Sequence, residues 1–383
     1  MTEGGPGVDR APSEWPDEPD AEFEETFELT TAQRDMWLLQ ELNPDVTFAV
    51  AHYMEIRGAV DIELLERAMR IATVDTGSML TTLVTDGDAS RASGADGTNP
   101  ATPTVRQRLD HAVMDMDLDH IDVRDEPDPA EAAAELMTEF TRPVDMYTES
   151  LGYTAIITLG PNHHYWYARG HHVAIDGYGA TVAAARTAEV YNALLAGRTP
   201  PPSRARHPRA FVEAERAYRS SPRHAKDRTY WAGVGPTLGD PVSLAGRTAP
   251  PSAYNHRCDT LLGTAADRAV RDAVNRFSTT LGVVVTAAFA TFLARATDSA
   301  DVVVTLPMAA RVTSWMRESA CMTANAVPVG VTCGGGRTVG EVITETGHRV
   351  SGALRHQLLP ASEIADLLGL TGVTLGPTIN LML

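Results

Sequence analysis

The stretch Arg169-Gly170-His171-His172-Val173-Ala174-Ile175-Asp176-Gly177 contains two adjacent histidines, a carboxylate and a glycine directly behind the carboxylate. It follows an aromatic, strand-like run over residues 165–168 and precedes an alanine-rich run over residues 180–185 that is typical of a helix. A strand end that turns into a helix start is a suitable place for catalytic side chains. We therefore interpret this stretch as the candidate site.

The two histidines have different expected environments. Neighbouring side chains on a strand point to opposite faces, so we expect His172 to face a cleft and His171 to pack behind it. Imidazole titrates near neutral pH, so His172 is a candidate to accept or lend a proton. We expect Asp176 to turn inward and pair with a cation, and Gly177 to allow a close backbone approach.

Other interpretations of the same residues remain open at this point. Two buried histidines or a metal site would also fit the pair, and Asp176 could simply cap the following helix. We predict no metal site. The side chains of adjacent strand residues point apart, and no second cysteine or histidine cluster lies at ligand spacing. The pair His163-His164 lacks the following Asp-Gly and is predicted to be structural.

The segment from His171 to Gly177 resembles the HHxxxDG motif of condensation domains of nonribosomal peptide synthetases, which belong to the chloramphenicol acetyltransferase-like superfamily. Further segments resemble the other motifs of that family in the same order. They are residues 29–39 for the first motif, residues 306–311 for the segment with the family's arginine, residues 322–329 for the Asn-x-x-Pro strand, and residues 355–357 and 376–380 for later segments.

This resemblance implies an α/β (α+β) fold of two chloramphenicol acetyltransferase-like lobes in a V arrangement. We expect an amino-terminal lobe over residues 27–205, with the HHxxxDG motif, and a carboxy-terminal lobe over residues 206–383. The family runs further beyond the segment at residues 376–380, so the second lobe is expected to be incomplete. Residues 1–26 are predicted to be a disordered acidic leader.

Two segments refine the resemblance. Residues 50–55 and 164–167 look most like amino-terminal condensation domains of catecholate siderophore synthetases, such as enterobactin synthetase, which implies an aryl donor in siderophore biosynthesis. Residues 74–83 depart from the family, because its second motif supplies an arginine and none is present here. Arg311 is therefore the expected partner of Asp176, since a buried charge needs an opposite charge.

The resemblance also implies the reaction, an acyltransferase step in which an amide bond forms between a donor and an acceptor. Both would be carried on the 4′-phosphopantetheine arms of donor and acceptor carrier domains, with no directly bound cofactor and an adenylation domain downstream. The implied catalytic residue is His172, as the base or as a hydrogen-bond partner of the amine. The other implied site residues are His171, Asp176, Gly177 and Arg311, which structure the site, and Tyr178 and Asn325, which are candidates for the substrate tunnel.

Composition and charge limit the partners, the location and the cysteine chemistry that we expect. The net charge of −18 disfavours nucleic-acid partners, which need clustered Lys and Arg. We expect a cytoplasmic protein without a membrane partner, since the sequence shows neither a secretory signal nor a long apolar run. The three cysteines are odd in number and far apart, which argues against disulfides, and Cys321 is predicted to be a buried structural thiol.

Three alternatives to the condensation reaction stay open. A stand-alone acyltransferase of the superfamily would use a free alcohol or amine and would lack a downstream adenylation domain. An epimerisation domain shares the motif, although residues 29–39 look more like condensation; heterocyclisation is disfavoured by the intact histidine pair. A non-catalytic recruitment module usually loses the histidines, so the intact motif counts against it.

The hydrophobic pattern predicts a mixed sequence of helices and strands. Helices are predicted over residues 61–72, 129–140, 265–277, 283–296 and 339–358, strands over 153–157, 163–168 and 302–306, a flexible loop over 86–103 and a connection between the lobes over 200–209.

Overall fold

The computed structural model describes residues 25–85, 105–110, 118–239, 241–246, 252, 256–370 and 377–380. The leader predicted over residues 1–26 lies outside this part, apart from residues 25 and 26. The loop predicted over residues 86–103 also lies outside it.

Eleven helices are present in the described part of the chain, besides two short 3₁₀ turns. They are α1 (Thr31–Leu42), α2 (Ile62–Thr76), α3 (Pro129–Phe140), α4 (Gly177–Leu195), α5 (Pro208–Arg219), α6 (Pro222–Val234), α7 (Thr264–Arg276), α8 (Leu281–Ala296), α9 (Ser314–Arg317), α10 (Val339–Arg355) and α11 (Ala361–Leu368).

Nine strands form three sheets among the described residues. The strands are β1 (Phe27–Glu28), β2 (Ala49–Arg57), β3 (Thr81–Thr85), β4 (Val105–Leu109), β5 (Asp119–Asp122), β6 (Gly152–Gly160), β7 (His163–His171), β8 (Asp301–Met308) and β9 (Asn325–Thr332). The sheet orders are β1-β4-β3, β2-β7-β6-β5 and β8-β9. Every strand pair is antiparallel except β5 with β6.

The four-stranded sheet is covered on both faces. Leu65 and Met69 of α2 pack with Ile156 and Trp166 of the sheet, and α4 joins the same cluster. On the opposite face, α3 packs Ala133 and its neighbours against β6. The site motif therefore ends a central strand of a well-covered layer.

The carboxy-terminal core is built on β8 and β9. Helices α8, α10 and α11 pack on these strands, together with Trp231 of α6. The short segment at residues 377–380 lies parallel to β8, where Thr305 donates its N–H to Pro377 O and Ile379 donates to Thr305 O, both at 2.9 Å. Residues 377–380 of the later family segment thus extend this small sheet.

The chain passes between the two cores through α5 and α6. Val212 of α5 packs with Phe27, Leu80 and Leu109 of the amino-terminal part. Trp231 of α6, in contrast, belongs to the carboxy-terminal core. The lobe boundary predicted at residues 205/206 falls in the irregular segment that precedes α5, and it stays a prediction.

Most predicted elements are present, with longer bounds. The helix predicted over residues 61–72 begins where Asp61 Oδ1 accepts the Leu64 N–H at 3.0 Å, and it continues to Thr76. The helix at residues 129–140 has the predicted bounds because Asp128 caps it and proline occupies its first turn. The helix predicted over residues 339–358 was too long. It ends at Arg355, where His356 turns its carbonyl to the Trp231 indole N–H at 3.0 Å.

Among the described residues, no single helix is long and apolar enough to cross a membrane. Helices α7 and α8 meet such a criterion only when taken together, as a pair bent by 110°.

Candidate active site

The histidine motif connects β7 to α4. Strand β7 ends at His171 and α4 begins at Gly177. The helix begins there because Asp176 adopts an extended backbone and its Oδ1 accepts the Gly179 N–H at 2.7 Å. The five residues between strand and helix form a tight turn, in which Ala174 donates its N–H to His171 O at 2.9 Å.

His171 is buried and fully hydrogen-bonded. Its Nδ1 accepts the Val173 N–H at 3.1 Å, so its Nε2 carries the proton and donates to Gln40 Oε1 at 3.0 Å. Burial, with a smaller contribution from nearby His172, lowers the pKa of His171 to about 4. The ring is neutral at pH 7, and the predicted place behind His172 is correct.

His172 is bonded only through its backbone. Its N–H donates to Phe48 O at 2.9 Å, which extends the pairing of β2 with β7 by one residue. The ring is partly exposed, and within the described chain its buried Nδ1 has no hydrogen-bond partner. Burial lowers the pKa of His172, so the imidazole is a neutral base at neutral pH.

Asp176 is the most heavily bonded carboxylate of the site. Its Oδ2 accepts four hydrogen bonds, from Arg311 Nη1 at 2.8 Å, Thr323 N at 3.0 Å, Thr323 Oγ1 at 3.2 Å and Ala324 N at 2.8 Å. Its Oδ1 caps α4 through Gly179. The inward ion pair and the helix cap, which the sequence left as alternatives, are therefore both present.

Arg311 reaches this carboxylate from the other half of the molecule. Its side chain is fully buried, and Nη2 donates to Cys321 O at 2.9 Å. Ala310, the residue before Arg311, has a φ of 51°, and its N–H donates to Gln357 Oε1 at 2.9 Å. The predicted Asp176–Arg311 pair is confirmed, and it joins α4 to the segment that follows β8.

The close backbone approach occurs at Gly179, not at Gly177 as the sequence suggested. A Cβ on Gly177 would meet nothing within 4 Å. A Cβ on Gly179 would lie 3.1 Å from the Cys321 nitrogen and 3.2 Å from its oxygen. Cys321 itself is buried as predicted, and burial raises the pKa of its thiol to about 12, which makes it a structural thiol.

The two tunnel candidates differ. Tyr178 is 40% exposed, and its ring lies 4.7 Å from the Arg311 guanidinium carbon. Asn325 lines a cavity of about 270 Å³ beside α1 and α5. Both hydrogens of its amide are already donated, to Gln357 O at 2.9 Å and Leu359 O at 2.6 Å. Asn325 therefore holds the backbone of its own core, and it has no free N–H for a substrate.

Two glutamines of α1 support the histidine motif, and the sequence did not predict this role. Gln33 and Gln40 lie on the same face of the helix as Trp37, and all three are buried. Gln33 donates to Val173 O at 3.1 Å, while Gln40 holds His171. Polar residues at the apolar positions of an amphipathic helix were the available signal, because a buried amide needs partners.

A cavity of about 410 Å³ lies between the four-stranded sheet and helices α2 and α4, and we name it the sheet–helix cavity. Its lining is mostly apolar. The residues it shares with β7 are Trp166, Ala168, Arg169 and Gly170, and His172 lies two residues beyond the last of them, in the turn that follows the strand. Ile175 and Ala180 line the cavity from the other side of the motif.

A family model described as Condensation domain matches residues 23–383. A dimodular nonribosomal peptide synthase of Bacillus subtilis (strain 168) is 31% identical over 361 residues, which are 93% of this chain. Enterobactin synthase component F of Escherichia coli O157:H7 is 27% identical over 346 residues, or 88% of the chain. The chain spans only 14% and 25% of the lengths of these two relatives.

The fold also resembles a solved condensation domain. The starter condensation domain of rhizomide synthetase, in complex with C8-CoA, superimposes with a TM-score of 0.81 at 29% sequence identity. The match covers 93% of this chain and 78% of that one. This likeness confirms the mixed helix and sheet fold of the chloramphenicol acetyltransferase type.

Proposed function

Because the chain belongs to the condensation-domain family, we propose that it joins an acyl thioester on one carrier protein to the amino group of an aminoacyl thioester on another. The observation that carries this proposal is the neutral, partly exposed His172 at the end of β7, whose neighbours Gly170 and Ile175 line an apolar cavity. Amide bond formation is the activity of the family.

The reaction breaks one bond and forms another. The acceptor amine attacks the donor carbonyl carbon, the carbon–sulfur bond breaks, and the donor's pantetheine sulfur leaves as a thiol after taking a proton. His172 accepts the proton that the amine loses, or holds the amine by a hydrogen bond while it attacks. Because tethering both substrates removes up to about 7–11 kcal/mol of entropic cost, positioning supplies much of the acceleration.

The remaining residues hold this histidine in place. His171 and Gln40 fix the end of β7, and Asp176 with Arg311 fixes the turn. The backbone N–H near Gly177 opens α4, where the helix dipole favours a developing negative charge on the carbonyl oxygen. Tyr178, exposed beside the Arg311 guanidinium, stays a candidate for the tunnel wall.

The sheet–helix cavity is proposed as the place of the donor's acyl group. Its volume of about 410 Å³ falls in the usual range of ligand pockets, and its apolar lining suits an aliphatic chain. The similar rhizomide synthetase domain is described in complex with C8-CoA, and its eight-carbon acyl group is an aliphatic chain. An aliphatic acyl donor is therefore the first candidate.

An aryl donor in siderophore biosynthesis is the second candidate. The similarity to enterobactin synthase component F supports it, as do residues 50–55 and 164–167. Under either donor we propose carrier domains as partners, an adenylation domain downstream and a cytoplasmic location. A free-acceptor acyltransferase would instead use an amine or alcohol without a carrier.

The test supplies the chain with one carrier protein loaded with octanoyl or 2,3-dihydroxybenzoyl and a second loaded with an amino acid. Intact mass spectrometry of the second carrier is expected to show the acyl-aminoacyl product. His172→Ala is expected to lose it, and His163→Ala, a histidine at the far end of β7, is the matched control. Absence of product with both donors would reject the proposal, and product formed only on a free amine would favour the stand-alone enzyme.

A further inference from the structure

Most polar side chains on the wall of the sheet–helix cavity are already bonded to the protein. Trp166 Nε1 donates to Thr154 Oγ1 at 3.0 Å, and Thr154 donates to Tyr167 O at 2.9 Å. The same holds for the hydroxyls of Thr76, Ser150 and Thr187 and for the Glu66–Arg70 ion pair. These groups keep the wall intact and have little capacity left for a ligand.

His52 differs from these side chains. It lines the cavity from β2 and is half-buried, and neither of its ring nitrogens has a hydrogen-bond partner in the described part of the chain. Burial lowers the pKa of His52, so the neutral ring offers one N–H donor and one acceptor nitrogen. The Thr73 hydroxyl of α2 and the buried Nε of Arg169 on β7 are the other lining groups without a bonded partner among the described residues.

The position of His52 separates it from the reacting carbonyl. His52 pairs with Ala168 in the β2–β7 register, four residues before His172. At a rise of about 3.4 Å per residue, roughly 14 Å of chain lies between the two positions. A group that reaches His52 therefore belongs to the distal part of a donor whose carbonyl lies near His172.

We propose that His52 hydrogen-bonds an oxygen on the distal part of the donor acyl group, so that the cavity selects a hydroxy- or keto-substituted chain over the unsubstituted chain. This inference rests on the proposed function, because it places the donor in the sheet–helix cavity. An apolar pocket with an unpaired, half-buried imidazole is suited to this selection, since leaving a buried polar group unpaired is unfavourable.

The test uses the chain with carriers loaded with decanoyl, 3-hydroxydecanoyl, 6-hydroxydecanoyl or 9-hydroxydecanoyl groups and one common aminoacyl carrier. Competition between donors, measured by intact mass spectrometry, gives ratios of kcat/KM. The wild type is expected to prefer a 6- or 9-hydroxy donor over decanoyl by roughly 3- to 10-fold, which one hydrogen bond supplies. The 3-hydroxy donor is expected to show no such preference.

Variants then assign the preference to His52. His52→Leu is expected to bring the ratio to about 1 while decanoyl transfer continues, and His52→Gln, which keeps a donor and an acceptor, is expected to retain part of it. His120→Leu, on exposed β5 of the same sheet, is the control, and melting temperatures check folding. An equal ratio in wild type and His52→Leu overturns the inference but leaves the proposed function intact. No product with any donor overturns both.

Discussion

The two ends of the motif differ in how completely they are bonded. Asp176 accepts five hydrogen bonds, including one from a fully buried arginine. His172, four residues earlier, has a buried ring nitrogen without a partner in the described chain. A saturated group holds a structure together, whereas a neutral and partly exposed ring is free to act on a substrate.

This difference follows from the cost of burial. The Thr323 and Ala324 donors bond the remaining lone pairs of the buried Asp176 carboxylate, whereas Arg311 Nε has no partner in the described chain. His172 Nδ1 and Arg169 Nε are buried without a partner there as well, so the partial exposure of the His172 residue is what distinguishes it from the two arginines. Asp176 is therefore assigned to the framework and His172 to the chemistry.

The largest effect is expected for Asp176→Ala. This change leaves Arg311 as a buried, uncompensated charge and removes the cap of α4, so the free energy of unfolding should fall by about 3–5 kcal/mol. Product formation should be lost with it. Denaturant unfolding followed by circular dichroism measures the first effect and the carrier assay measures the second.

The double variant Asp176→Leu with Arg311→Met is the matched control for this prediction. It removes both charges at once and should recover a large part of the stability. Activity should stay low, because the turn that orients His172 has lost its anchor. A single Asp176→Ala variant as stable as the wild type would contradict the assignment of this residue to the framework.

The opposite result is expected at His172. His172→Ala should lower the turnover number by about 10²–10⁴, the usual contribution of a general base. Its melting temperature should stay close to that of the wild type, because the ring Nδ1 has no hydrogen-bond partner in the described chain. A loss of stability as large as that of Asp176→Ala would remove the distinction between the two ends.

A pH titration tests the buried neighbour. The pKa of His171 is about 4 in the folded chain against 6.5 for the free side chain, so the unfolded chain binds a proton that the folded chain excludes. The contribution of His171 to the free energy of unfolding is therefore fully present above about pH 6.5. It is lost as the pH drops toward 4, by roughly 3 kcal/mol. Unfolding measured between pH 4 and 7 should show this slope.

One variant assigns the slope. His171→Gln, even when less stable overall, should reduce the pH dependence because it removes this titrating group. A smaller slope should remain, because burial also lowers the pKa of His172, His52 and His164. An equal slope in the wild type and His171→Gln would place the acid sensitivity elsewhere.

The sequence predicted those features that depend on residues close together in the chain or on the order of the family's motifs. The helix near residue 61, the helix start at Pro129 and the Asp176–Arg311 pair were found in this way. The Gln40 contact with His171 was not, because it joins residues 131 positions apart and depends on how α1 packs. The sheet–helix cavity likewise arises from the spacing between layers, which no local pattern encodes.

The smallest effects separate two glycines of α4. Gly179→Ala places a methyl group against the Cys321 backbone and should cost about 1–3 kcal/mol of stability, the usual effect of overpacking. Gly177→Ala meets open space and should be neutral or stabilising by up to about 1 kcal/mol. Thermal unfolding of the two variants measures the contrast.

Activity is expected to reverse this order. If the backbone at Gly177 approaches the donor carbonyl, a methyl group there should slow product formation although the fold is undisturbed. Gly179→Ala should lose activity only in proportion to its loss of folded protein, because Gly179 N–H is already bonded to Asp176. Full activity of Gly177→Ala would exclude a close substrate approach at this position and would leave His172 as the sole contact of the motif with the reacting atoms.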